Sequence, residues 1–387
     1  MAGSWASIDD LRLAARRRLP RFAFDFIDGG AGDGACLARN VEAYRRATLT
    51  PRVLRNVDGD LDTSMQLFGK SWTVPFGVAP IGMAGIAWPG IDGWLAAAAE
   101  RAGAPYTAST PATDTLEALR AAAPTSSWFQ LYVGREQWIV DDLIARAKSA
   151  GYDTMFVTAD VPKPGKRRRD IRNRFMLPLR PGARMAFDVA THPAWSMAIA
   201  RAGSPRFQNF ERYAQASSAS SLAEFMASQT SGRLDWSLFD DIRAAWPGKL
   251  ILKGVCAPRD AVMAAERGAD GVVVSNHGGR QLASAPATLD ALGAVRDAVG
   301  PDFAVLLDGG IRCGEDILKG LLAGADFVLM GRPFVYAVGA AGEAGAGQVF
   351  DLLRAELVNA MGQIGLRALA DRAAFADCLR LEGGSAR

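Results

Sequence analysis

The feature that most constrains this chain is a repeating alternation that begins near Val74. Eight short β-rich or apolar runs, 74–79, 105–108, 127–131, 154–158, 249–253, 271–275, 303–307 and 327–330, alternate with alanine- and leucine-rich helical stretches. The helical stretches are 92–101, 114–122, 136–150, 258–267, 288–299, 314–323 and about 347–361. Strands separated by helices of that length form βα units and a parallel sheet. Eight such units close into a barrel of about 250 residues. The expected fold is therefore an α/β (β/α)8 TIM barrel over residues 71–365, in a single domain spanning 1–387. An insertion is expected after the fourth strand, at 161–234, with a basic start and a Ser/Ala-rich middle. Residues 1–70 read as a helical N-terminal extension: a cap at Ser7, a helix from Leu11 that Pro20 stops, a glycine turn from Asp28 to Asp33, then a helix to Tyr44.

Composition removes several alternatives. A formal net charge of +3 on 387 residues is too small to argue for nucleic-acid binding. Cys36, Cys256, Cys313 and Cys378 show neither paired nor metal-type spacing, so they read as reduced, buried thiols of a cytoplasmic protein with no metal site. The N-terminus lacks the apolar core of a secretory signal. The charge-free run from Ser71 to Ile91 is interrupted by Pro75, Pro80 and Pro89 and by four glycines, which excludes a membrane-spanning helix.

In a barrel, functional groups gather just past the C-terminal end of each strand. Those exits carry Ala79-Pro80-Ile81-Gly82, Ser109, Gln130 with Tyr132, Thr158 with Asp160, Lys253, Ser275-Asn276-His277 with Arg280, Asp308-Gly309-Gly310-Ile311-Arg312, and Gly331-Arg332. Taken singly, each fits ordinary turn chemistry equally well; their recurrence at every exit argues for a site. The glycines and guanidinium groups after the last two strands suit a phosphate. Lys253, ending an apolar strand, needs an anion to face, as a reduced flavin would provide. Ser109, Gln130 and Thr158 offer the neutral hydrogen bonds that a flavin edge requires. No Gly-x-Gly-x-x-Gly fingerprint follows an early strand, which disfavours a Rossmann-type nicotinamide site. Arg167, Arg280 and Tyr132 can hold a carboxylate while His277, oriented by Asp160, takes the proton of an α-hydroxyl.

These residues resemble the FMN-dependent L-2-hydroxy acid dehydrogenases and oxidases, a family that includes lactate dehydrogenase, mandelate dehydrogenase and glycolate oxidase. The similarity runs from about Ile8 to about Leu369 and is most specific at 275–281 with 308–312, at Gln130-Leu131-Tyr132-Val133, and at Gly165-Lys166-Arg167 leading to Asn173-Arg174-Phe175. The resemblance implies that His277 is the base and Asp160 its partner, and that Tyr132, Arg167 and Arg280 bind the substrate carboxylate. It implies FMN held by Ala79, Pro80, Ser109, Gln130, Thr158, Lys253, Ser275, Asp308, Gly310, Arg312, Gly331 and Arg332. It also implies a homotetramer.

Two positions depart from the family pattern. Phe26 stands where members usually carry a substrate-binding tyrosine, and Pro111 where the short-chain oxidases carry tryptophan. The first suggests a more apolar substrate or weaker binding rather than lost chemistry, the second a pocket reshaped for a larger group. Gly82 resembles the mandelate-type dehydrogenases, and 192–196 resembles the insertion of the membrane-associated bacterial members. The expectation is a dehydrogenase that passes electrons to a quinone, peripheral to the inner face of the cytoplasmic membrane. The basic start of the insertion would meet an anionic surface there, although site arginines with solvated neighbours account for it as well. The alternatives are an oxidase producing hydrogen peroxide, another FMN barrel enzyme, or a redox-inactive flavin-binding homologue, for which Phe26 is the best argument.

Overall fold

The computed structural model describes residues 5–175, 182–214 and 219–382. Part of the Ser/Ala-rich middle of the insertion therefore lies outside the described residues. The chain opens with α1 (Ile8–Arg18), whose Ser7 side chain accepts from the Asp10 backbone N–H. Asp9 and Asp10 fill the first turn and Arg16, Arg17 and Arg18 the last, so both ends complement the helix dipole. Next come α2 (Arg21–Asp28), which starts directly after Pro20, and α3 (Ala35–Arg46). After α3 the extension is not helical as expected. It contains a strand, Ala47–Leu49, paired with Leu379–Leu381, and a hairpin of Met65–Leu67 with Lys70–Trp72. The hairpin turns at Phe68-Gly69, both with positive φ, and carries Trp72 onto Trp128 with ring centroids 5.4 Å apart. Trp128 also meets Phe156 and Phe327, so aromatic side chains pack the N-terminal end of the barrel.

The barrel is closed and all parallel: β1 (Phe76–Val78), β2 (Tyr106–Ser109), β3 (Ser127–Leu131), β4 (Thr154–Thr158), β5 (Lys249–Val255), β6 (Gly271–Val274), β7 (Ala304–Asp308) and β8 (Phe327–Met330), each paired with its sequence neighbours and β8 with β1. The strands are almost entirely buried, which explains why they read as continuous apolar runs rather than alternating ones. Register is regular except on β5, where Lys253 pairs with Val273 but Val255 with Val274. The extra residue, Gly254, has φ 108°, and a Cβ there would stand 2.6 Å from Asp160 Cβ. This bulge ends β5 so that Lys253 and Asp160 come together at the barrel mouth.

The sequence pattern missed the helix Arg332–Ala341. It precedes the long C-terminal helix, which runs over Glu343–Ile364 rather than the shorter span expected. Gly342, with φ 65°, separates the two. The helix Arg332–Ala341 packs on α1, and Gly339 permits the approach: a Cβ there would lie 3.0 Å from Leu19 and 3.2 Å from Ala15.

The insertion forms helices Arg168–Arg172, Ala183–Ala190, Pro193–Ala202 and Ala219–Ser228. It is tied down by Trp195, which donates to the Ile86 carbonyl at 3.0 Å and packs edge-on against Phe22. The four cysteines are unpaired; Cys36 and Cys378 are buried as expected, but Cys256 and Cys313 are only partly covered. Among the described residues no helix is long and apolar enough to cross a membrane, and no cluster could hold a metal ion.

Candidate active site

The C-terminal mouth of the barrel opens into a cavity of about 770 Å³ lined by Ala79, Pro80, Tyr132, Arg167, His277 and Arg280 among others. His277 enters it from a loop in which three successive residues, His277, Gly278 and Gly279, have φ of 59°, 60° and 74°. A non-glycine residue at positive φ is strained, so the surroundings must hold it there. They do so from two sides. Ser275 Oγ accepts from the His277 backbone N–H at 3.1 Å and from Lys253 Nζ at 2.8 Å. The N-terminal extension grips the other side: Ala31 N–H donates to the Gly279 carbonyl at 2.9 Å, and Asn40 of α3 exchanges two amide hydrogen bonds, 2.8 and 2.7 Å, with Asn276.

His277 Nδ1 donates to Asp160 Oδ1 at 2.8 Å. A carboxylate only accepts, so the proton sits on Nδ1 and the lone pair of Nε2 points into the cavity, 3.3 Å from the Tyr132 hydroxyl. Burial pushes Asp160 upward, but the hydrogen bond from His277 and the charge of Lys253 outweigh it and hold the carboxyl below its usual range. Lys253 is itself buried, and burial alone would lower it. Asp308 at 3.1 Å and Asp160 at 3.8 Å reverse that and keep the ammonium charged. One ammonium thus stands between two carboxylates, and Oδ1 of Asp308 and Oδ2 of Asp160 are buried without a hydrogen-bond partner.

Arg280 reaches back to the extension, where Nη1 donates to the carbonyls of Phe26 at 2.6 Å and Gly29 at 3.1 Å. It makes no ion pair among the described residues. Burial, with Arg167 and Arg332 nearby, pushes it well below its usual value, the condition of a guanidinium placed to meet an anion. Arg167 pairs with Asp170 at 3.2 Å. The Phe26 ring lies between the two, 5.0 Å from the Arg280 guanidinium and 5.2 Å from that of Arg167. Phe26 therefore faces both guanidinium groups. Phe26→Tyr is expected to tighten small 2-hydroxy acids by about 1.5–3 kcal/mol, the worth of a hydrogen bond to a charged group. Unchanged Kd values in anaerobic titrations would place its para position outside the site.

Several residues assigned to FMN surround the cavity: Ala79, Pro80, Lys253, Asp308, Gly310, Arg312, Gly331 and Arg332. Gly309 and Gly310 have φ of 93° and 92°, and a Cβ on Gly310 would meet the Asn40 carbonyl at 2.3 Å, so glycine is required there. Gly331 precedes the first turn of the helix Arg332–Ala341, and Gly331, Arg332 and Pro333 line the cavity beside Arg312. The Arg332 side chain is used differently from the sequence expectation. Its nitrogens donate to the carbonyls of Ile27 (3.0 Å), Gly278 (2.9 Å) and Gly29 (2.8 Å), joining α2 to the His277 loop. Ser109, Gln130 and Thr158 form a buried chain just behind the cavity wall: Ser109 Oγ donates to Gln130 Oε1 at 2.9 Å, and Gln130 Nε2 to Thr158 Oγ1 at 3.0 Å. Buried unpartnered carboxylate oxygens, a glycine cradle beside Arg312 and neutral hydrogen-bonding groups at the barrel mouth together fit a phosphate-bearing polar ring cofactor.

Asn40 was missed by the sequence reading. Its signal was available: with Cys36, Ala43 and Tyr44 it lies on the buried stripe of α3, a polar residue on an apolar face. Asn40→Ala leaves the Asn276 amide partly unpaired and frees the strained loop. A fall of about 10–100-fold in kcat is expected, with KM and FMN content little changed, because misplacement by about 1 Å suffices for such losses. A variant that instead loses FMN, or keeps full kcat, would give Asn40 a merely structural role.

A family model described as FMN-dependent dehydrogenase matches residues 15–375. The chain is 42% identical over 369 residues to an L-lactate dehydrogenase of Caulobacter vibrioides, covering 94% of this chain and 95% of that one. Among solved structures it is similar to the monotopic membrane protein (S)-mandelate dehydrogenase, with TM-score 0.94, 34% identity, and coverage of 98% of this chain and 100% of the other. A mandelate oxidase structure matches with TM-score 0.81 and 35% identity, covering 99% and 100%.

Proposed function

The chain belongs to the FMN-dependent dehydrogenase family, and on that premise we propose that it oxidises an L-2-hydroxy acid to the 2-oxo acid with His277 as base and passes the electrons to a quinone. The observation that carries this reading is the Asp160–His277–Tyr132 array beside Arg280 and Arg167: one unprotonated imidazole nitrogen and two guanidinium groups converge on one cavity.

Arg280 and Arg167 bind the substrate carboxylate and, with Tyr132, orient the α-carbon. His277 Nε2 accepts the hydroxyl proton, and Asp160 stabilises the imidazolium that results. FMN, when bound, supplies the acceptor for the α-hydrogen and its two electrons. Ala79, Lys253, Gly310, Arg312 and the helix start at Gly331 would hold it along the cavity wall, with Lys253 contributing the buried positive charge. The apolar walls around Pro111, Val133 and Leu143 exclude water and suit a substrate larger than lactate.

The insertion exposes Phe187 at 72% and Met197 at 52%, which supports attachment to one leaflet of a membrane, the place where a quinone is reached. Assembly as a homotetramer belongs to the same reading. Anaerobic mixing with a panel of 2-hydroxy acids tests it: the flavin should bleach with mandelate or lactate analogues and recolour with a soluble quinone. Absence of bleaching across the panel would overturn the reading, and rapid peroxide formation in air would make the enzyme an oxidase.

A further inference from the structure

A second cavity, of about 520 Å³, lies between α1, α2 and the insertion. Five guanidinium groups line it, from Arg12, Arg16, Arg21, Arg169 and Arg172, together with Asp25, Asp28 and Asp188. The carboxylates of Asp25 and Asp28 are already engaged. Asp28 accepts from Arg12 (2.6 and 3.1 Å), from Arg169 (2.7 Å) and from the Tyr336 hydroxyl (2.7 Å), and despite its burial these bonds hold it far below the usual carboxylate range. Asp25 accepts from Arg21 at 3.3 Å and from Asn173 at 2.8 Å. Asp188 lies 3.6 Å from His192 Nδ1, which donates to the Asp188 carbonyl. Arg16 and Arg172 have no ion-pair partner among the described residues. Both line the cavity, so its electrostatic surplus is positive and located on those two side chains.

The insertion helix that contributes Asp188, Ala183–Ala190, and the next one, Pro193–Ala202, carry large exposed apolar side chains: Phe187, next to Asp188 in the chain, is 72% exposed and Met197 52%. Exposed apolar groups on the elements that also form a basic recess suit an interfacial surface, where apolar groups enter the acyl boundary and guanidinium groups meet phosphates.

We propose that this cavity binds a phosphate group, with Arg16 and Arg172 as its free ligands, and that the group is the headgroup phosphate of an anionic phospholipid. Planar guanidinium groups suit phosphate oxygens through paired, charge-assisted bonds. The proposal rests on the peripheral membrane reading above and adds a defined headgroup site to it.

The test uses the FMN-loaded enzyme and its R16Q/R172Q variant. Both are floated with vesicles of phosphatidylcholine alone and of phosphatidylcholine with phosphatidylglycerol, and both are titrated with inorganic phosphate. Substitution of two exposed arginines should leave flavin reduction in solution unchanged, which reports that the fold is intact. The expected result is binding selective for the anionic vesicles, weakened about 30-fold in the variant, since each arginine near such a surface is worth about 1 kcal/mol. A lysine pair at the same positions should restore part of it. If the wild type floats with neither vesicle but binds inorganic phosphate in a manner lost in the variant, the phosphate site stands, its source is free phosphate, and the membrane reading falls. If wild type and variant bind anionic vesicles equally and neither takes up phosphate, the membrane reading survives and this site is overturned.

Discussion

Replacing His277 by glutamine is expected to lower turnover by about 10²–10⁴-fold, the usual worth of a positioned acid–base group, while FMN stays bound. Glutamine can still donate to Asp160, so the carboxylate is not left unpaired and the loop keeps its contacts through Ser275 and Asn276. What is removed is the nitrogen lone pair that faces the cavity. The effect should fall on kcat with little change in substrate affinity, since Arg280 and Arg167 remain. Stopped-flow bleaching of the flavin at saturating hydroxy acid reads it directly. Reduction at a rate near that of the wild type would mean that the proton leaves to another group, and Tyr132 would be the next candidate.

The second large effect is on stability. Lys253→Met removes the single ammonium between Asp308 and Asp160, whose side chains are 8% and 9% exposed. Two buried carboxylates then lose the cation they share, Asp308 its ion pair and Asp160 all but its bond from His277, and breaking a buried pair in this way costs about 3–5 kcal/mol. The sign with pH follows from linkage. In the wild type the depressed carboxyl of Asp160 adds stability above the ordinary carboxylate range, and that contribution is lost as pH falls through its depressed value. Without Lys253 nothing cationic offsets the burial of the two carboxylates, so the variant's penalty is largest where both are ionised and shrinks in acid, where protonation removes the buried charge. Denaturant midpoints near pH 8 and near pH 5 should therefore differ from the wild type by much more at the higher pH. An equal loss at both would assign the effect to packing alone.

Recognition of the eight strands needed only local pattern, because strands buried on both faces are short apolar runs and the intervening helices are amphipathic over seven residues or more. The same logic located His277, Lys253 and Asp308, since a barrel delivers whatever follows each strand to one end. Local pattern failed where a segment's partner is remote. The strand Ala47–Leu49 is defined only by Leu379–Leu381, more than three hundred residues away, and the hairpin at 65–72 by the aromatic end of the barrel that it covers. Arg332 follows a strand as a phosphate ligand would, yet its side chain turns to three carbonyls contributed by α2 and the His277 loop.

The stretch from Ser275 to Gln281 shows the division most clearly. Its residue types, a histidine and an arginine after a buried strand, establish what chemistry the loop can do, because proton transfer and carboxylate binding are properties of side chains. Which nitrogen of His277 carries the proton, and why the residue tolerates φ 59°, are not local properties. They depend on Asp160 from another strand exit, on Lys253 brought close by the bulge at Gly254, and on Asn40 from the N-terminal extension. Hydrogen bonds and charge act over a few ångströms of space regardless of separation along the chain, so sequence determined the reagents of this site and tertiary structure decided their protonation, orientation and partners.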